Sequence, residues 1–517
     1  MTLVLGGKLL ASIEPQTFEL LLAKTPLLAV KDSTLWGPEA QEEASIRLNW
    51  IDLPSVSVAL IPQLTELTAW AKAKDLTNVI LAGMGGSSLA PEVISKTYGK
   101  KLTVVDTTDP EQILKAIPPE LTNSVVVVGS KSGSTVETAS HKAFFERLFT
   151  EAGLLPADHI VIVTDPGSPL DLASRSQGLR TINADPHVGG RYSALSAFGL
   201  VPAALIGVDV AELLSDARNA AESFVLPDSP AARVAAVIFD ANKQNVAFCD
   251  EGSSTPGLSD WIEQLVAEST GKDQRGRLPI VIESLSAKVA GVHLLISLSA
   301  GAASEQMADL VVTGTLGEQF ILWEWVTALL SIALGVDPFN QPNVTEAKER
   351  TNAILAKWAD GNRDTLAPSY SDSNLEIYSN SSASTLEAQL EDFFKANSHY
   401  IAVMAYLARG IDDEVTKVRA LIAGRTNRGT TFGWGPRFLH STGQFHKGGQ
   451  HNGAFVQITG ENTADIDIPG RNISFHTLLM AQALGDGQAL ADRNFPLVRI
   501  HLKDRKNGIA ALLKALG

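Results

Sequence analysis

Along this chain, short runs of aliphatic and β-branched residues alternate with longer stretches whose apolar positions recur every three to four residues. Residues 1–75 carry only the helical period and end in the polar run Ala71-Lys72-Ala73-Lys74-Asp75. An N-terminal helical segment is therefore expected ahead of any sheet. Over 76–225 the runs 78–82, 102–105, 124–128 and 159–163 are predicted strands, each followed by a turn and a helical pattern. Such alternation predicts a parallel sheet with helices on both faces. A second series over 226–368 repeats it, with strands at 246–249, 279–282, 293–298 and 309–312 and an apolar helix near 320–336. The stretch 369–384, crowded with Ser, Asn and Asp, has the composition of a linker. Beyond it, 385–517 is predicted as a C-terminal α/β extension with strands at 400–406, 454–458 and 497–501, a helix near 412–423 and a basic terminal helix. The fold class is thus α/β: two three-layer αβα domains with parallel sheets, plus the extension.

Composition narrows the partners more than the fold. A length of 517 residues exceeds one ordinary core, and 45% hydrophobic with 19% charged residues marks an ordinary globular chain. The net charge of −15 disfavours nucleic acid and anionic membrane surfaces, so an anionic ligand would need a locally positive pocket. A single cysteine, Cys249, permits no intramolecular disulfide. The first ten residues lack a basic region and a cleavage site, so a cytoplasmic location is expected. The apolar run 320–336 contains Glu324 and is shorter than the roughly 20 residues a membrane span needs. A buried helix explains it better.

Two turns carry candidate chemistry. Gly83-Met84-Gly85-Gly86-Ser87-Ser88 leaves a predicted strand and opens a helix, so Gly85, Gly86 and Ser87 can bring backbone N–H groups to an oxyanion. It has neither a Walker lysine nor the dinucleotide spacing. Gly129-Ser130-Lys131-Ser132-Gly133-Ser134-Thr135-Val136-Glu137-Thr138 again runs from strand to helix. A helix cap needs one hydroxyl, whereas Ser130, Ser132, Ser134 and Thr135 offer four at a positive helix end. Together with Lys131 they suit a phosphate cradle, and the lack of a Mg-binding partner favours a phosphomonoester over a nucleoside triphosphate.

The pair of turns resembles the sugar isomerase domain, and further segments in chain order resemble the glucose-6-phosphate isomerase family. These are Gly189-Gly190-Arg191-Tyr192-Ser193, Gln264-Leu265-Val266-Ala267-Glu268-Ser269-Thr270-Gly271-Lys272, and Gly335-Val336-Asp337-Pro338-Phe339-Asn340-Gln341-Pro342 with Lys348 seven residues beyond Gln341. Gln264 and Glu268 are four apart and Gln341 and Lys348 seven apart, so each pair is expected to share one helix face. Taken singly, each of these residues has an ordinary structural explanation; it is their order together that carries the likeness. The resemblance implies an aldose–ketose isomerase acting through a cis-enediolate, with Glu268 as base, Arg191 beside the reacting carbons, Gln264 and Gln341 on the substrate, and Lys348 with a histidine opening the sugar ring.

For that histidine the family's general order points to His293, which sits in a strand-like run. Leu439-His440-Ser441-Thr442-Gly443-Gln444 instead resembles the histidine segment of one bacterial branch, and of the isomerase half of fused transaldolase and glucose-6-phosphate isomerase proteins. No stretch remains for a transaldolase barrel. His440 is the first choice, His446 the second and His293 the third. A metal site of His440, His446 and His451 competes, but the loop lacks acidic or cysteine ligands at supporting spacing. No metal or organic cofactor is expected, and the resemblance implies a sugar phosphate ligand and a monomer or homodimer. Two alternatives stay open: an isomerase that also takes mannose 6-phosphate, and a noncatalytic phosphosugar-binding regulator that needs the cradle but not Glu268, Gln341 and Lys348 together.

Overall fold

Strands Asn78–Gly83, Thr103–Val105, Ser124–Gly129, Ile160–Thr164 and Arg180–Asn183 form an all-parallel sheet in the computed structural model, which describes residues 2–287, 289, 293–360 and 366–517. Val125, Val126, Val127 and Val128 are all buried, as a strand covered by helices on both faces requires. Counted within this sheet the order is second, first, third, fourth, fifth, so the connections leave the first and third strands in opposite directions. Ligands of such sheets bind at that switch point, beyond the carboxyl ends of the strands. Gly83 and Gly129 stand opposite each other in register, so the two glycine-containing turns leave neighbouring strands at one level.

The second sheet has the parallel strands Asn245–Cys249, Leu278–Val281, His293–Ser297 and Leu310–Thr313. Its edge is Val4–Gly6, antiparallel to Leu310–Thr313. The start of the chain is therefore a strand of the second sheet and not only helical; three residues are too few to show a period of two. The helix Leu316–Leu334 is buried along most of its length, and burial drives the Glu324 carboxyl well above its usual range. Among the described residues no helix is long and apolar enough to cross a membrane.

The third sheet runs Tyr370–Ser371, Leu375–Tyr378, Leu497–Leu502, Gly453–Gly460, Tyr400–Tyr406, Gly429–Trp434. The stretch read as a linker thus holds two strands that close one edge of a sheet. Leu375 and Ile377 face inward while Glu376 is only partly covered, a period-two signal hidden among polar neighbours. Gly429–Trp434 also escapes the sequence pattern, since two glycines and two threonines leave little apolar signal.

Ion pairs lock the third unit onto the first. Arg437 binds Glu92 and Asp106, and Arg505, itself held by Asp412 of its own unit, binds Asp109. The helix Val344–Ala359 packs on Phe475–Ala491, where Gly485 leaves room for the Thr351 backbone; a Cβ there would stand 2.9 Å from Thr351 N. Arg350–Asp492 and Arg493–Glu346 pairs flank this contact.

Candidate active site

At the switch point three turns converge. Gly85 has φ +56°, in the left-handed region, and at Gly86 a Cβ would lie 1.9 Å from the Gly190 carbonyl oxygen. Only glycine permits that approach, which presses the Gly189–Ser193 segment against the first turn. Ser87 Oγ donates to Gly129 O at 3.1 Å and receives Met84 N at 3.0 Å, tying the first turn to the second.

In the second turn Ser130 Oγ accepts from Gly133 N at 3.1 Å. Thr135 occupies the cap position of helix Val136–Glu151, yet its hydroxyl caps no backbone amide and stays available to a ligand. Lys131 Nζ lies 2.9 Å from Asp165, whose carboxyl burial raises despite that lysine. Ser132 is exposed, bonds Ser134 Oγ at 2.7 Å and stands outside the cleft lining. Ser130 and Thr135 border the cleft, whereas Ser132 and Ser134 bond each other on the exposed side of the turn.

The floor comes from helix Leu258–Thr270. One helical turn separates Gln264 from Glu268, and Gln264 Nε2 donates to Glu268 Oε2 at 3.1 Å and to His440 O at 2.8 Å. Arg191 Nη1 donates to Glu268 Oε1 at 2.9 Å, and Arg191 Nε to Ser269 Oγ at 2.9 Å. Its Nη2 is held by the Pro338 and Asn340 carbonyls. Arg191 is 2% and Glu268 5% exposed, so this ion pair acts in a low-dielectric setting where fixed hydrogen bonds hold both partners. Lys272 also braces the Asp337–Phe339 loop by donating to Asp337 O; burial and then the Arg191 charge push its pKa well below the usual lysine range.

Gln341 and Lys348 reach the cleft from its rim, and both are exposed. They do not share a helix face. The helix begins only at Val344, because Pro342 disfavours helical backbone at Gln341. The Gln444 amide fixes this segment: it accepts from Asn343 N at 3.1 Å and donates to Asn343 Oδ1 at 2.8 Å and Gly271 O at 3.0 Å.

His440 lines the cleft, and its Nε2 lies 3.0 Å from Glu137 Oε1. Burial raises the Glu137 pKa, but the charge and hydrogen bond of His440, with Lys348 beyond, outweigh burial and bring it to about 2. An ionised carboxylate only accepts, so His440 Nε2 carries the hydrogen in this contact. Gln482 Nε2 donates to the same Glu137 oxygen at 2.7 Å, and Thr108 Oγ1 donates to Gln482 Oε1 at 2.7 Å. His446 is instead buried and stacked on Tyr400, its Nδ1 3.2 Å from the Tyr400 hydroxyl; burial, aided by Lys447, pushes it down to about 3. His451 stacks on Phe495, and His293 lies in the second sheet opposite Asn245. The three loop histidines therefore face different surroundings.

Glu268, Arg191, Lys348, His440, Gly85, Gly86, Ser87, Ser130, Lys131, Thr135, Gln264 and Gln341 thus border one cleft. Sequence reasoning missed Glu137 and Gln482 behind His440, and Thr138, Ser193 and Phe198 in the wall. Glu137 offered a signal, as a carboxylate in the first turn of the helix that follows the hydroxyl-rich loop. Gln482 offered none, because it arrives from a helix some 340 residues further along the chain.

Residues 65–253 match the phosphoglucose isomerase family. The match contains both turns and Arg191 and ends before Glu268. Curated relatives include glucose-6-phosphate isomerases from a Cyanothece species, 35% identical over 38% of this chain and 40% of that protein, and from Carboxydothermus hydrogenoformans, 34% identical over 43% and 52%. A probable glucose-6-phosphate isomerase of Haloarcula marismortui is 32% identical over 41% and 50%. The chain spans about half the length of the curated relatives it matches. Among solved structures, a hypothetical protein of Thermus thermophilus superposes with a TM-score of 0.58 at 24% identity over 68% of this chain and all of that one. A glucose-6-phosphate isomerase of Chlamydia trachomatis gives 0.52 at 19% identity over 61% and 75%. These two establish a shared fold.

Proposed function

We propose that this chain is a glucose-6-phosphate isomerase, interconverting glucose 6-phosphate and fructose 6-phosphate in the step shared by glycolysis and gluconeogenesis. The observation that carries it is the Glu268 carboxylate, buried on the floor of the same cleft whose wall is the Ser130–Thr135 turn, with one oxygen on Arg191 and the other on Gln264.

In this mechanism the substrate phosphate rests on Ser130, Thr135 and the amides at the start of helix Val136–Glu151, where the helix dipole favours it. His440 and Lys348 move the protons that open the sugar ring, and Glu137 holds the imidazole in one tautomer. Glu268 then takes the proton from C2, leaving a cis-enediolate, and returns it to C1, while the O2 hydroxyl proton passes to O1 so that the carbonyl moves to C2. Arg191, fixed by Ser269, Pro338 and Asn340, needs no rearrangement to offset the charge that develops on the enediolate oxygen. The proton balance closes with no outside donor. The noncatalytic alternative gives no reason for a buried carboxylate and guanidinium to meet beside the cradle. In this reading the enzyme is a cytoplasmic monomer or homodimer.

A coupled assay of fructose 6-phosphate conversion tests the proposal directly, with mannose 6-phosphate in parallel to fix the substrate range. Absence of conversion by the folded protein would overturn it.

A further inference from the structure

A second hollow lies beside the first, separated from it by the His440 and Lys348 side chains that border both. It is lined also by Ser134 from the phosphate turn, by Asn352, and by Arg471. Arg471 belongs to none of the segments that form the cleft.

The cations around the two hollows differ in one respect. Arg191, Lys131 and Lys447 are each bound to a carboxylate, on Glu268, Asp165 and Asp486, whereas among the described residues neither Lys348, between the hollows, nor Arg471, in the outer one, is so bound. Arg471 is exposed, and among the described residues its side chain makes no hydrogen bond or ion pair. Its backbone, however, is firmly placed. Ile468 N donates to Ile473 O at 3.1 Å and Arg471 N to Ile468 O at 3.1 Å, with Gly470 at φ +75° forming the turn between them. Ile468 is buried, and Ser474 caps the helix Phe475–Ala491 that follows. A braced turn therefore holds an unneutralised guanidinium out beside the site.

In a chain of net charge −15 this placement has a consequence. At long range the protein repels a sugar phosphate dianion, and only local positive charge near the opening restores attraction. We propose that the second hollow is the approach to the site, and that Arg471 captures the substrate's anionic group there before it passes to the Ser130–Thr135 turn. This rests on the sugar phosphate reading above. Arg471 acts in capture and touches no reacting atom, so the chemical step is indifferent to it.

Arg471→Ala should lower kcat/KM several-fold at low ionic strength, about tenfold at most for one charge of a steering field, while kcat stays near that of the wild type. The deficit should shrink as salt rises, since screening removes an exposed charge's reach beyond about 10 Å at 0.1 M. Arg471→Lys should recover most of the loss. Unchanged kcat/KM with an unchanged salt slope would overturn the inference, as would a loss confined to kcat. Calorimetric titration of glucose 6-phosphate into Glu268→Gln, with and without Arg471→Ala, reads capture without turnover. A several-fold weaker Kd in the double variant supports it and an equal Kd refutes it, whatever the fate of the isomerase assignment.

Discussion

The floor and the rim of the cleft are built on opposite terms. On the floor, Arg191 and Glu268 are almost wholly buried and every guanidinium nitrogen of Arg191 is engaged. On the rim, Gln341, Lys348 and Arg471 are exposed, and the two cations have no bound carboxylate among the described residues. Charge that must act on a reacting carbon is held rigid and dry, where each interaction is strong. Charge that must meet and release a ligand is left wet and unpaired, where each interaction is weak and screened. His440 stands between the two, anchored from behind by Glu137 while it borders the cleft.

Substitutions should therefore cost more on the floor than on the rim. Glu268→Gln keeps the shape but removes the base, so kcat should fall by about 10³-fold, with sugar phosphate binding retained in calorimetry. Gly86→Ala drives a methyl into the Gly190 carbonyl and separates the two turns; both kcat/KM and thermal stability should drop, the latter by about 1–3 kcal/mol, as overpacking typically costs. A Gly86→Ala enzyme with wild-type stability would break the claim that these turns are pressed together. His440→Ala should slow the cyclic substrate by about 10²-fold and leave an open-chain sugar phosphate much less affected. Equal losses on both would remove His440 from ring opening.

The smallest effects should be acid effects on stability. Glu137 sits at about 2 against an ordinary 4.5, so its contribution is complete above 4.5 and lost as the pH falls toward 2. His446 is held neutral down to about 3 against 6.5, so the unfolded chain takes up that proton first and stability declines as the pH drops below 6.5. Urea unfolding of His446→Phe should lose less stability between pH 6.5 and 4 than the wild type does. An identical slope would mean that the buried histidine is not neutral.

Much of this was legible in the sequence because it was local. The Val-rich strands, the two turns, and the four-residue spacing of Gln264 and Glu268 each report on a few neighbouring residues. What was illegible was long-range or short. Val4–Gly6 shows its role only by pairing with Leu310–Thr313, and Gln482 meets Glu137 only through the docking of the third unit on the first. Spacing alone also does not reveal that Ser132 bonds Ser134 on an exposed turn, or that a proline delays the helix that carries Lys348.

The central claim is that Glu268 carries the substrate's proton. Incubating glucose 6-phosphate with the protein in D₂O and following C2 deuteration by NMR tests it most directly. The wild type should exchange the C2 hydrogen for solvent deuterium, and Glu268→Gln should bind the sugar without exchanging it. Exchange by Glu268→Gln at a rate near the wild type's would contradict the account.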